Sequence, residues 1–222
     1  MIHPSLIKVD MKSMKKIFLM LEFLVLFFVI PLMAAFVLPP SLVLPGLLIF
    51  TFVGIFLLQV TPAFRWSTLS AGFITINWKL LVYFFVVCFL TLSLLAFFID
   101  SENTYYLPVN SPRLWIFIMI AYPLVSVIPQ ELIYRPLFFI RYKSILPSGQ
   151  SLVILNAICF CLIHLFYWNL LALFITFFGG LIFSQIYYKN KNFLEVVLYH
   201  SVGGCMIFTT GLGRFFYSGA IQ

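Results

Sequence analysis

The stretch PQELIYRP, Pro129 to Pro136, sets a carboxylate, a guanidinium and two prolines inside one apolar run. Glu131 and Arg135 are four residues apart, so on a helix they share a face and can pair. Two imidazoles, His164 and His200, lie in two later apolar runs, and apart from His3 they are the chain's only histidines. A charged side chain at the bilayer centre costs roughly 2.5–3.5 kcal/mol on insertion scales, so it persists where it pairs, reaches headgroups or does chemistry. A carboxylate facing an imidazole in a confined aqueous cavity can activate water as a general base. A second imidazole can donate to a developing oxyanion, and together these steps describe amide hydrolysis inside a membrane. The same three side chains, Glu131, His164 and His200, are also a zinc-type donor set with an open fourth position. Glu22 and Glu195 need less: Glu22 is in reach of headgroups or a lysine such as Lys16, and the membrane interface near Lys191 accounts for Glu195.

These residues need helices to hold them. The chain has 222 residues, 64% hydrophobic and 9% charged. A soluble domain would carry roughly a quarter charged residues. Apolar runs of about twenty residues recur, long enough to cross a hydrocarbon core of roughly 30 Å. Continuous runs argue against a β-barrel, whose strands alternate. The expected fold is therefore all-α, a polytopic transmembrane bundle of about seven or eight spans with a polar cavity. The spans fall near 17–37, 42–60, 79–99, 114–140, 151–166, 170–188 and 193–212. The region 114–140 is either one long helix or two shorter ones broken near Pro123 or Pro129. The organisation reads as a basic cytoplasmic tail (1–14), N-terminal membrane helices (15–112), the motif-bearing helices (113–213) and a C-terminal tail (214–222).

The net charge of +7 suggests nucleic acid until the positions are examined. With a cytoplasmic N-terminus, Lys8, Lys12, Lys15, Lys16, Arg65, Lys79, Arg141, Lys143, Lys189 and Lys191 face inward, against Arg113 and Arg214 outside. That is the positive-inside bias of a membrane protein, not a nucleic-acid footprint. The first apolar run is too long for a signal peptide's core and lacks a small-residue cleavage site, so it reads as a retained span. At about 1.5 Å per helical residue, Glu131, His164 and His200 sit roughly 15, 20 and 13 Å from the cytoplasmic edge, on three different helices. Pro129 and Pro136 each remove a backbone N–H, a gap tolerated at membrane depth only against protein or a water-filled cavity. Gly179, Gly180 and Ser184, then Gly203 and Gly204, permit close helix approach around it. The four cysteines lie in apolar runs without a CxxC pair and read as buried thiols. Other hydrolase patterns are missing: there is no HExxH, no aspartate within a span, and Gly149-Gln150-Ser151 lacks the second glycine of a serine elbow.

The order QELIYR, then FCLIH (Phe160 to His164), then a glycine-containing span, then HSVGG (His200 to Gly204) resembles the CAAX-prenyl protease and bacteriocin-processing family (CPBP, Abi). That family carries EExxxR, FxxxH and HxxxN or HxxxD on successive membrane helices. The resemblance implies a bacterial, multi-pass intramembrane endopeptidase whose polar cavity opens to the cytoplasm and which acts on a membrane-associated or lipid-modified peptide. On the family pattern the general base falls on Gln130, the second glutamate on Glu131 and the arginine on Arg135. The water-activating histidine falls on His164, the oxyanion donor on His200 and its asparagine partner on Gly204. Gln130 cannot act as a base and Gly204 offers no donor, so the sequence is a QExxxR and HxxxG variant. Pro129 is expected to rotate the helix enough to swing Glu131 into the cavity as the substitute. The expected partners are a peptide or protein substrate and the lipid bilayer, with no nucleic acid, and no cofactor unless a divalent metal such as zinc is used. Two other functions compete: an inactive relative serving binding or immunity through the same cavity, and a small ion or proton transporter. The absence of an internal repeat weighs against the last.

Overall fold

The computed structural model describes residues 11–216, so most of the tail 1–14 and of the tail 214–222 lies outside the described residues. All regular structure among the described residues is helical. Five helices are long and apolar enough to cross a membrane: α1 (Ser13–Phe36), α3 (Trp78–Asn103), α4 (Pro112–Arg141), α5 (Gln150–Tyr167) and α6 (Leu170–Asn190). Two shorter apolar helices are α2 (Pro45–Gln59) and α7 (Phe193–Thr209). Each of the seven apolar runs thus has a helix, five of them at full spanning length.

The helix starts follow from their caps. Asn77, Asn169 and Asn192 each accept a hydrogen bond from the backbone N–H three residues on, at Leu80, Ala172 and Glu195. These contacts satisfy one of the orphan donors at the first turns of α3, α6 and α7. Lys191, in the left-handed conformation at φ 51°, reverses the chain between α6 and α7. Glu195 is part of the last cap. It is buried, and it accepts from Asn190 Nδ2 at 2.7 Å and from the Asn77 backbone N–H at 3.4 Å. Glu195 thus takes part in a set of polar contacts joining the starts of α3 and α7.

α4 is one helix of 30 residues, not two. It absorbs its prolines by widening into π-type turns over Pro123–Val127 and Ile133–Arg141. Proline lacks the N–H of the regular ladder and clashes one turn back, and a π turn relieves both while keeping the helix continuous. The second half of α4 is the centre of the molecule, with Ile133, Tyr134, Leu137 and Phe138 all at 1% exposure or less. Phe27 of α1 meets the rings of Tyr134 and Phe138 edge-on, at 5.6 and 5.1 Å. On the α2 side, a Cβ on Gly54 would lie 2.7 Å from Ile133 Cγ1, so the two helices touch through hydrogen.

Two further contacts fix the bundle around α4. Glu22 of α1 pairs with Arg141 at 2.5 Å and accepts from the Tyr142 hydroxyl at 2.7 Å. Its partner is thus the end of α4, where the sequence suggested headgroups or a lysine. α5 and α6 meet at Gly180, where a Cβ would stand 3.2 Å from Ala157 Cα, and Ser184 donates to the Val153 carbonyl at 3.3 Å. Large apolar side chains such as Leu90, Phe97 and Phe98 on α3 point outward, as a surface solvated by lipid tails requires.

Candidate active site

Glu131 and Arg135 lie within α4 at zero exposure. Arg135 Nε donates to Glu131 Oε2 at 2.6 Å, and Nη2 reaches Oε1 at 3.3 Å, a two-point contact along one helix face. Arg135 Nη1 donates to Asn156 Oδ1 on α5, and the guanidinium lies over the Phe160 ring, 5.3 Å from its centroid. Asn156 in turn donates to the Tyr134 carbonyl at 2.8 Å, within the widened part of α4. Every charge in this group has a partner, which is the condition for keeping an ion pair dry.

The imidazoles approach from α5 and α7. His200 Nδ1 lies 2.8 Å from Glu131 Oε1. A carboxylate accepts, so Nδ1 carries the proton and the ring orientation is fixed by the acid. On the other side, His200 Nε2 is 3.1 Å from the hydroxyl of Tyr122. His164 closes the last turn of α5, its Nδ1 2.7 Å from the Phe160 carbonyl. That bond places the proton on Nδ1 and leaves the Nε2 lone pair available. Phe160 stands between the two imidazoles, with ring centroids 4.8 Å from His164 and 5.4 Å from His200. Phe183 of α6 stacks on His200 at 4.9 Å.

Two cavities meet here. The larger, about 300 Å³, is lined by Tyr122, Gln130, His164, His200 and Gly204 among mostly apolar neighbours. The smaller, about 240 Å³, lies toward α1 and α2, and shares Ser126, Gln130, His164 and Tyr167 with the first. Gln130 donates from Nε2 to Ser126 Oγ at 2.8 Å, while its Oε1 is buried without a hydrogen-bond partner. Glu131 lines neither cavity. Pro129 therefore does not swing Glu131 into the opening. Gln130 keeps the cavity side of α4, and Glu131 points at Arg135 and His200 beneath it. Among the described residues, no three His, Cys, Asp or Glu side chains are grouped to hold a metal ion.

Gly204 explains an unexpected neighbour. A Cβ built on it would fall 2.2 to 2.4 Å from Cε1, Oη and Cζ of Tyr122, so the phenol occupies the space a side chain at 204 would take. Tyr122, Ser126 and Asn156 were invisible to a search for ionisable groups and imidazoles within the spans. The signal was present nonetheless, because each is a hydrogen-bonding side chain inside an apolar run.

No curated protein and no solved structure matches the chain. Residues 112–206 match the family model described as type II CAAX prenyl endopeptidase Rce1-like. That segment carries Gln130, Glu131, Arg135, His164, His200 and Gly204, and over it the chain is similar to the Rce1-like CAAX prenyl endopeptidase family.

Proposed function

We propose that the protein is an intramembrane endopeptidase that hydrolyses a peptide bond of a membrane-associated or lipid-modified peptide. The observation that carries this reading is the convergence of Glu131, His200 and His164 beside an apolar cavity inside the helices. His164 is the water-activating group in this account. Its Nε2 has no hydrogen-bond partner among the described residues and sits on a cavity-lining ring, whereas both Glu131 oxygens are engaged beneath the cavity. Gln130 lines the cavity where the family motif has its base, its Nε2 tied to Ser126 Oγ.

In the reaction, one water proton passes to His164 Nε2 as the oxygen attacks the peptide carbonyl carbon. The carbonyl π pair moves to oxygen, where donors on the His200 side of the cavity receive it. On collapse the C–N bond breaks, and the amine nitrogen takes the proton back from His164. The products are one new carboxyl and one new amine. Glu131 acts through His200 by fixing which nitrogen faces the cavity, and Arg135 holds Glu131. Both are positioning residues.

The test is cleavage of an internally quenched, prenylated CAAX peptide by purified protein in liposomes. Wild type should cut it, and His164→Ala should lose at least about a hundredfold in kcat, within the range expected for a general base. Wild type that fails to cut, or His164→Ala that cuts normally, contradicts the proposal. A second reading, a non-hydrolytic binding protein built on the same cavity, is favoured by Gln130 alone. It predicts intact function in both His164→Ala and Glu131→Gln.

A further inference from the structure

The His200 end of the site lacks a side chain at Gly204, yet the structure fills that place from another helix. Tyr122 reaches it from α4, one residue before the widened turn at Pro123–Val127. Its ring is held edge-on by Phe208 at 5.3 Å and by His200 at 6.2 Å. Around it, Trp115 Nε1 donates to Thr209 Oγ1 at 3.0 Å, binding the first half of α4 to α7. The hydroxyl lines the larger cavity, together with Gln130 and His164. A phenol in this position can both accept and donate. With the His200 ring proton on Nδ1, its O–H donates to Nε2 at rest, and rotation about the C–O bond can turn that proton to a third atom.

We infer that Tyr122 is a catalytic residue of the proposed hydrolysis, donating its O–H to the oxyanion, with Gly204 as the gap that admits it. The inference rests on the endopeptidase reading and adds to it the donor that Gly204 does not supply. The chain Glu131–His200–Tyr122 runs from a buried carboxylate to the cavity through bonds of 2.8 and 3.1 Å. As negative charge grows on the carbonyl oxygen, the phenolic O–H turns from His200 Nε2 to that oxygen. No bond to Tyr122 forms or breaks. When the C–N bond cleaves, the carbonyl re-forms and the phenol returns to its resting hydrogen bond. A glycine at 204 is required, because a Cβ there would overlap the phenol itself.

The experiment compares wild type, Tyr122→Phe and Gly204→Ala in the liposome assay with the prenylated CAAX peptide, reading kcat and KM separately. Tyr122→Phe keeps the ring that fills the gap and removes only the hydroxyl. Its kcat should fall by about a hundredfold with KM unchanged, the loss typical of one oxyanion donor. Gly204→Ala should reproduce that loss by pushing the phenol away from His200. If wild type cuts the peptide and Tyr122→Phe matches it in kcat, or differs only in KM, the role of Tyr122 is overturned while the endopeptidase reading stands. If wild type does not cut, the endopeptidase reading falls and takes this role with it.

Discussion

At the scale of single residues, the site turns on which of two adjacent side chains faces the cavity. Gln130 does, and Glu131 does not. A carboxylate buried against Arg135 and His200 cannot readily exchange a proton with cavity water, but it can hold a ring. Removing the arginine would leave Glu131 buried with His200 as its remaining hydrogen-bond partner. Breaking a buried pair in this way costs about 3–5 kcal/mol, so Arg135→Ala should lower the thermal unfolding midpoint in detergent sharply, or prevent folding. Asn156→Ala removes one neutral acceptor from the same guanidinium. Its cost should be smaller, about 1–3 kcal/mol for an unsatisfied buried donor, and the same melting experiment compares the two. A midpoint unchanged in both variants would contradict the buried network.

The Glu131–Arg135 pair was legible in the sequence because an i,i+4 spacing needs only local geometry. The nearness of Glu131 to His200 was legible from depth, counted in helical residues from the basic rim. Which side of α4 Glu131 would take was not legible, because π turns at Pro123–Val127 and Ile133–Arg141 alter the angle per residue. Tyr122 was hidden for another reason. Its significance lies in a gap at Gly204, 82 positions later, that only the packed helices reveal.

At the scale of helices, the site depends on close approach more than on propensity. α5 carries Asn156, Phe160 and His164, and α6 presses it against α4 through Gly180. A Cβ at 180 would meet the Ala157 backbone at 3.2 Å and the Phe160 ring at 3.1 Å. Backbone cannot yield as a side chain can, so Gly180→Ala should destabilise by about 1–3 kcal/mol, as overpacking does. Because Phe160 separates the two imidazoles, the same variant should lose activity before it unfolds. Parallel melting and cleavage measurements would show this, and a fully active, fully stable Gly180→Ala would contradict the packing. Helix positions were legible from the apolar runs, whereas the asparagine caps emerge only from the structure. The continuity of α4 through Pro123, Pro129 and Pro136 was left open, since proline signals a break or a widened turn with equal force.

At the scale of the whole molecule, the chain is an integral membrane protein whose motif helices surround a cavity, with α1 fastened to the end of α4. That fastening, Glu22 with Arg141 and Tyr142, links residues 119 positions apart and left no local signal. The charge bias assigns Lys143 to the cytoplasmic side and Arg113 to the opposite side, at the two ends of α4. Cysteine introduced at position 143 should react with an impermeant maleimide only after the membrane is opened, and cysteine at 113 should react in intact cells. The reverse pattern would invert the expected orientation.

The most direct test of the central claim is cleavage of the prenylated CAAX peptide in water enriched with oxygen-18, with the product read by mass spectrometry. Wild type should place one heavy oxygen in the new C-terminal carboxyl, and His164→Ala should yield almost no product. Intact peptide after incubation with folded wild type, or labelled product formed equally by His164→Ala, would contradict the account.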